Sequence, residues 1–356
     1  MVLECSDKPF RRRLSRPARI WWGMNLDNLR HLAAGTERGA FLFRPREPHR
    51  EWEMVGYGLY GQNVTGLTIC REGVAASVEG GSVKCSKDWV NWRTLYIGLQ
   101  YPNVYALASD QSGQLFAGTC PAAVFQNNSS EKPWEALGAT TALSIENEWT
   151  HPDPPHSPRI IRLLVHPTRP RCLIGGIQSG GIIVSFDGGR SWTNQKAGLS
   201  KHLTDLRLSP EHPDRLYATN FLGFYRSDDL GKQWRLLNRG LPYEEADAVC
   251  LNNNSPDRLL LAVRNPEDDH SVLFKSDNGG ENWEVACAEL PTDEGLQVTC
   301  LESGGGVYFA GTREGFLFGS RDREHWEIVR AGLPPVNTLK WVGEYRLPPM
   351  GETSDE

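Results

Sequence analysis

Two stretches of this 356-residue chain concentrate side chains that do chemistry. The first, LSIENEWTHPDPPHSPR from Leu143 to Arg159, sets Trp149, His151, Asp153 and His156 among prolines. The second, GLPYEEADA from Gly240, carries Tyr243, Glu244, Glu245 and Asp247. Imidazole and carboxylate suit zinc or manganese, but the spacing of His151, Asp153 and His156 matches no established site. The flanking prolines fix the backbone without making those side chains converge, so neither a metal nor a cofactor is expected. An aromatic plate on an exposed loop stacks on a sugar or anchors a partner, and Trp149 is read as such a plate. His151, Asp153, His156, Tyr243 and Arg313 join it as binding residues. The acids suit a different chemistry: glycoside hydrolysis takes one protonated and one ionised carboxyl roughly 5 to 10 Å apart. Glu244, Glu245, Asp247, Glu37 and Glu314 are the catalytic candidates, and sequence does not say which two converge.

The elements that hold these residues follow from a repeat. Trp52, Trp92, Trp134, Trp192, Trp234, Trp283 and Trp326 stand 40 to 58 residues apart, each closing a cassette of short strands. The cleanest cassette reads RIIRLLVHP, RCLIGGIQSG, GIIVSFDGG and RSWTNQKAGL from Arg159. Each piece is an apolar, β-branched run of strand length bounded by Gly, Pro, Asp or Asn. That period is one four-stranded sheet with its turns. The fold expected is all-β, a seven-bladed β-propeller of four-stranded antiparallel blades, strands a to d in each. The first unit lacks its a strand. VNTLKWVGEYR, after the last d strand, has the length to supply it and close the ring, with residues 20–25 as the alternative.

The turn from strand c to strand d repeats as SFDGGRSW, SDDLGKQW and SDNGGENW. A carboxylate or amide at its third position bonds backbone N–H groups just ahead, Gly supplies a positive φ, and Trp buries a ring. SKDWVNW and SRDREHW are one residue shorter, lack the Gly, and predict a different turn in the same place. The pattern resembles the Asp-box, or BNR, repeat of sialidases, sortilin-type receptors, xyloglucan-cleaving propellers and photosystem II assembly factors. The resemblance covers most of the chain and is specific for the fold. It implies that the box lies on the rim opposite the binding face. Ser185, Asp187, Gly189 and Trp192 are then structural, with Ser227, Asp229, Gly231 and Trp234, and Ser276, Asn278, Gly280 and Trp283. Seven units rather than six, and no RIP string near the N-terminus, set the chain apart from sialidases.

Binding is expected where the d–a and b–c connections emerge around the channel mouth. The 143–158 insertion lies there, between the third and fourth blades, as do Glu37, Arg38, Glu79, Gln178, Ser179, Asn220, Arg313 and Glu314. A net charge of -6 argues against nucleic acid and anionic membrane as partners. Eight scattered cysteines without a CxxC pair read as buried thiols, and no signal-like or membrane-length apolar run occurs. The cytoplasm is therefore the expected compartment. Residues 1–19 read as a flexible basic tail, 20–346 as the propeller, and 347–356 as a disordered acidic tail. The function expected is a monomeric binding or assembly module for a protein partner or carbohydrate ligand. The alternative is a glycoside hydrolase or lyase.

Overall fold

The computed structural model describes residues 31–46, 51–80, 82–129, 131–138, 149–151, 156–195, 197–200, 202–252, 255–292 and 295–343. Among them are seven four-stranded sheets, each antiparallel in the order a-b-c-d, and no helix. Both terminal tails and Asp153 lie outside the described residues. Blade 1 is the composite one. Its b, c and d strands are His31–Thr36, Gly39–Arg46 and Glu51–Gly58, and its a strand is the C-terminal Val336–Val342. His31 pairs with Val342 and Gly35 with Thr338, so the last strand closes the ring; residues 20–25, the alternative, lie outside the described residues. Closure removes the two free edges an open ring would present.

In blade 4 the inner strands are buried at every position, LIGGI (Leu173–Ile177) and GIIVS (Gly181–Ser185). Each lies between two strands of its own sheet and under neighbouring blades on both faces, so it reads as a continuous apolar run rather than an alternating one. Between blades the tryptophans act as bolts. Trp134, Trp192 and Trp283 each donate the ring N–H to a carbonyl of the preceding blade, those of Leu95, Leu137 and Leu237, at 2.9, 3.3 and 2.9 Å. Gly98, Gly198 and Gly240 follow the d strands with positive φ and touch the backbone of the next blade's Trp134, Trp234 and Trp283; a Cβ at Gly240 would lie 2.2 Å from the Trp283 oxygen.

In the three long turns, Ser185, Ser227 and Ser276 accept the N–H of Gly189, Gly231 and Gly280 at 2.7, 2.8 and 3.0 Å. The carboxylate or amide of Asp187, Asp229 and Asn278 accepts from the N–H four residues on. The shorter turns differ as expected. Ser86 and Ser320 accept from residues only three on, Trp89 and Arg323, which themselves take the positive φ, at 64° and 76°. Trp52 departs from the pattern. It lies within strand d of blade 1 and meets Phe309 edge-on instead of following a box turn. Blade 2 buries Trp89, with Trp92 packed at right angles to it.

Candidate binding face and channel

Hydrogen bonds between loops define the two ends of the ring. Connections b–c and d–a bond one another at the mouth: Glu37 to Pro335, Gln178 to Arg159, Arg264 to Glu245 and Arg313 to Gln297. Connections a–b and c–d do so at the box end: Gly188 to Arg171, Leu230 to Asp214 and Gly279 to Asp257. The a strands of all seven blades line a channel of about 630 Å³ between these ends.

Three a-strand threonines or their neighbours clasp adjacent blades near the mouth. Thr65 donates to the carbonyl of Val104 and Thr204 to that of Ala246, each at 2.6 Å, and Thr299 donates to that of Val336. Blades 4 and 5 use charge instead. Asp205, wholly buried, takes Arg162 Nε at 2.6 Å, Arg207 Nε at 3.1 Å and the N–H groups of Leu206 and Val249 at 2.8 and 3.2 Å. Burial pushes this carboxyl up, but Arg162 and Arg207 outweigh it and hold it at about 2. Arg207 also donates to the carbonyl of Leu301 on blade 7, at 3.0 Å, and faces Glu302 at 3.6 Å. The channel is thus bridged from blade 5 to blade 7. No sequence signal marks Asp205, because Arg162 and Val249, which complete its shell, lie on other repeats.

At the mouth over blades 5 to 7 the structure does bring together residues from the second chemical stretch. Arg264 reaches Asp247 at 2.8 Å, Glu245 at 3.3 Å and Asp269 at 3.5 Å. Burial pushes the Asp247 carboxyl up to about 6, with Arg264 opposing and Glu245 and Asp269 adding to the rise. Glu314 accepts the Gln297 N–H at 3.1 Å, and Arg313 donates to the Gln297 side chain at 2.8 Å. Tyr243 is half-buried against the core of blades 5 and 6, while Glu244 and Glu37 are exposed. Arg264 thus pairs with both Glu245 and Asp247.

Over blades 3 to 5 the mouth is different, and one expectation fails there. Trp149 is 6 % exposed, packed with Ile160, Ile177 and Ala122 and lying on Gly180, where a Cβ would come within 2.8 Å of its ring. It plugs the seam between blades 3 and 4, because a ring of that size buries more surface against a glycine than it keeps in water. His151 is buried too, with Nε2 3.0 Å from Gln178 Oε1 and Arg159 Nη2 3.4 Å from its Nδ1. His156, exposed, donates from Nδ1 to the His151 carbonyl at 2.8 Å. Arg159 lies over the Tyr105 ring, 5.0 Å from its centre, and the Tyr105 hydroxyl meets Glu79 at 3.2 Å. Next along the rim, the b–c turn of blade 5 presents Phe221 and Leu222, 48 % and 47 % exposed, with the Phe221 ring near His202. Among the described residues no cluster of His, Cys, Asp and Glu is arranged to hold a metal, and no helix is long and apolar enough to cross a membrane.

No family model and no curated protein matches the chain. Solved structures do. YCF48 bound to D1 peptide aligns with a TM-score of 0.57 at 16% identity, over 80% of this chain and 86% of that one. YCF48 from Cyanidioschyzon merolae aligns with 0.53 at 14%, over 75% and 84%. An ancestral GH74 enzyme aligns with 0.53 at 14%, over 84% of this chain and 39% of that one. At such identities the likeness is one of fold, the β-propeller, and function has to be read from the site.

Proposed function

We propose that this chain is a non-catalytic binding module that holds a segment of a protein partner across the mouth over blades 3 to 5, beside the 143–158 connection. The observation that carries the reading is the exposed pair Phe221 and Leu222 on the b–c turn of blade 5, with the Phe221 ring beside His202. Large apolar side chains on a loop, ringed by polar groups, mark interaction sites. Its neighbour in fold, YCF48, is a protein found with a peptide bound. The carboxyls that would serve a hydrolase support the same reading by default, since Glu245 and Asp247 share Arg264 and Glu314 caps Gln297.

The test is capture on immobilised protein, identification of the captured chain, and re-measurement with that chain purified. Phe221→Ser with Leu222→Ser is expected to weaken binding at least tenfold while the melting temperature holds. A panel of polysaccharides and aryl glycosides runs beside it. Turnover lost in Asp247→Asn would overturn the reading in favour of a hydrolase, for which a carboxyl held near pH 6 is the supporting feature.

A further inference from the structure

Seven of the cysteines lie among the described residues, all of them free. Two of them meet. Cys70 ends strand a of blade 2 (Val64–Cys70) and Cys85 lies in its strand c (Ser82–Ser86), with their Sγ atoms 3.3 Å apart. That is sulfur contact, roughly 1 Å of approach short of a bond. A cavity of about 50 Å³ touches both cysteines and is walled by Arg71, Glu72, Asn127 and Ser129. A water's share of liquid volume is roughly 30 Å³, so a molecule the size of hydrogen peroxide fits. Cys85 also lines a surface hollow of about 260 Å³ with Lys87 and Arg93. Bulk reagents are shut out and a small oxidant is not. Either thiol can donate across this contact; with Cys85 and the Glu72 backbone N–H donating to it, Cys70 is held below the ordinary thiol range, against burial and the Glu72 charge.

We propose that Cys70 and Cys85 are a peroxide-responsive dithiol that closes to a disulfide within blade 2. Cys70 as thiolate attacks one oxygen of hydrogen peroxide, the O–O bond breaks and hydroxide leaves, making the sulfenic acid. The Cys85 sulfur attacks that sulfur, the S–S bond forms, the S–O bond breaks, and the departing hydroxide takes the Cys85 proton as water. Two thiols and one peroxide become one disulfide and two waters, and a small dithiol reverses the change. The bond would join strands a and c across strand b, two strand spacings of about 4.8 Å each, so closure draws the end of strand a at Cys70 toward Cys85. Thr65 to Ile69 of that same a strand line the channel, so the cross-link fastens part of the channel wall.

The experiment treats the intact native protein with hydrogen peroxide, blocks remaining thiols with iodoacetamide, and maps peptides by mass spectrometry. The expected product is one linked pair containing Cys70 and Cys85, lost on reduction with dithiothreitol, with the melting temperature several degrees higher while oxidised. In Cys85→Ser, dimedone is expected to trap a sulfenic acid at Cys70, and the rise in melting temperature disappears. Should either serine variant fail to fold, the wild-type peptide map decides alone. Both cysteines still alkylated after oxidation and denaturation, or oxidised to sulfinic acid without a linked peptide, overturns the proposal.

Discussion

At the box end, blades 4, 5 and 6 repeat one turn almost bond for bond, serine to glycine N–H and carboxylate or amide to the N–H four residues on. Beyond the threonine clasps between a strands, the loop side chains at the mouth do not repeat: blade 4 has His151 on Gln178, blade 5 has Phe221 beside His202, and blade 6 has Arg264 among three acids. The difference lies in where the partners come from. A box turn closes within five residues, so its sequence repeats wherever its structure does. A mouth contact joins a loop of one blade to another loop tens of residues away, and nothing requires the next blade to copy it. Stability is therefore standardised at one end, and the other end is left free to carry recognition.

That contrast predicts a graded set of effects, and the largest belongs to neither end but to the channel between them. Asp205→Ala leaves two guanidiniums without their buried counter-ion and is expected to cost about 3–5 kcal/mol. Urea denaturation measures it. The same carboxyl, held at about 2 against an unfolded value near 4, contributes stability that is fully present above pH 4 and lost as pH falls through 2. Trp149→Ala is expected to cost about 3–5 kcal/mol as a buried aromatic truncation. A loss below about 1 kcal/mol would restore Trp149 to the exposed recognition role that its loop position suggested.

Legibility divides along the same line. The seven blades, the C-terminal closing strand and the shorter turns at Ser86 and Ser320 follow from period and turn chemistry, both local to a few residues. Trp149 was misjudged because its burial depends on Gly180, thirty-one positions away in the next sheet and without a side chain to announce the contact. Asp205 and Arg207 were passed over for a related reason: in HLTDLRLSP they look like the polar positions of an alternating strand. Only the ring turns them inward on Arg162, Leu301 and Glu302. Glu245 and Asp247 sit in a d–a connection that the strand order places at the mouth, but their shared tie to Arg264 is visible only in the fold.

Asp247 gives the mouth a raised carboxyl, whereas the turn carboxyls Asp88, Asp187 and Asp322 at the box end are held low by their hydrogen bonds. With its carboxyl raised to about 6, the folded state holds a proton that the unfolded chain has released above pH 4. Its contribution therefore falls as pH rises from 4 to 6, by up to about 3 kcal/mol. Asp247→Asn is expected to flatten the stability curve across that window, measured by denaturant midpoints at several pH values. An unchanged slope would mean that Arg264 keeps the group ionised throughout. Smaller again is Ser185→Ala, which orphans the buried Gly189 N–H at a cost of about 1–2 kcal/mol. Partner binding should be unaffected in the folded fraction, because the turn lies at the far end of the strands.

The smallest stability effect carries the largest functional one. Phe221 and Leu222 cap a two-residue b–c turn, about half in water, and the turn is held by the Asn220 carboxamide accepting the Leu222 N–H at 2.8 Å rather than by their side chains. Replacing both by serine is expected to leave stability within about 0.5 kcal/mol, the usual range for surface changes away from buried features, while partner affinity falls at least tenfold. Asn220→Ala is the control that separates shape from surface, since it loosens the turn and keeps both apolar groups. If affinity, measured calorimetrically, survives the serines and fails with the alanine, the partner reads the backbone of this rim and not its apolar side chains. If both variants bind normally, recognition belongs to another sector of the mouth, and the division of labour between the two ends holds with a different address.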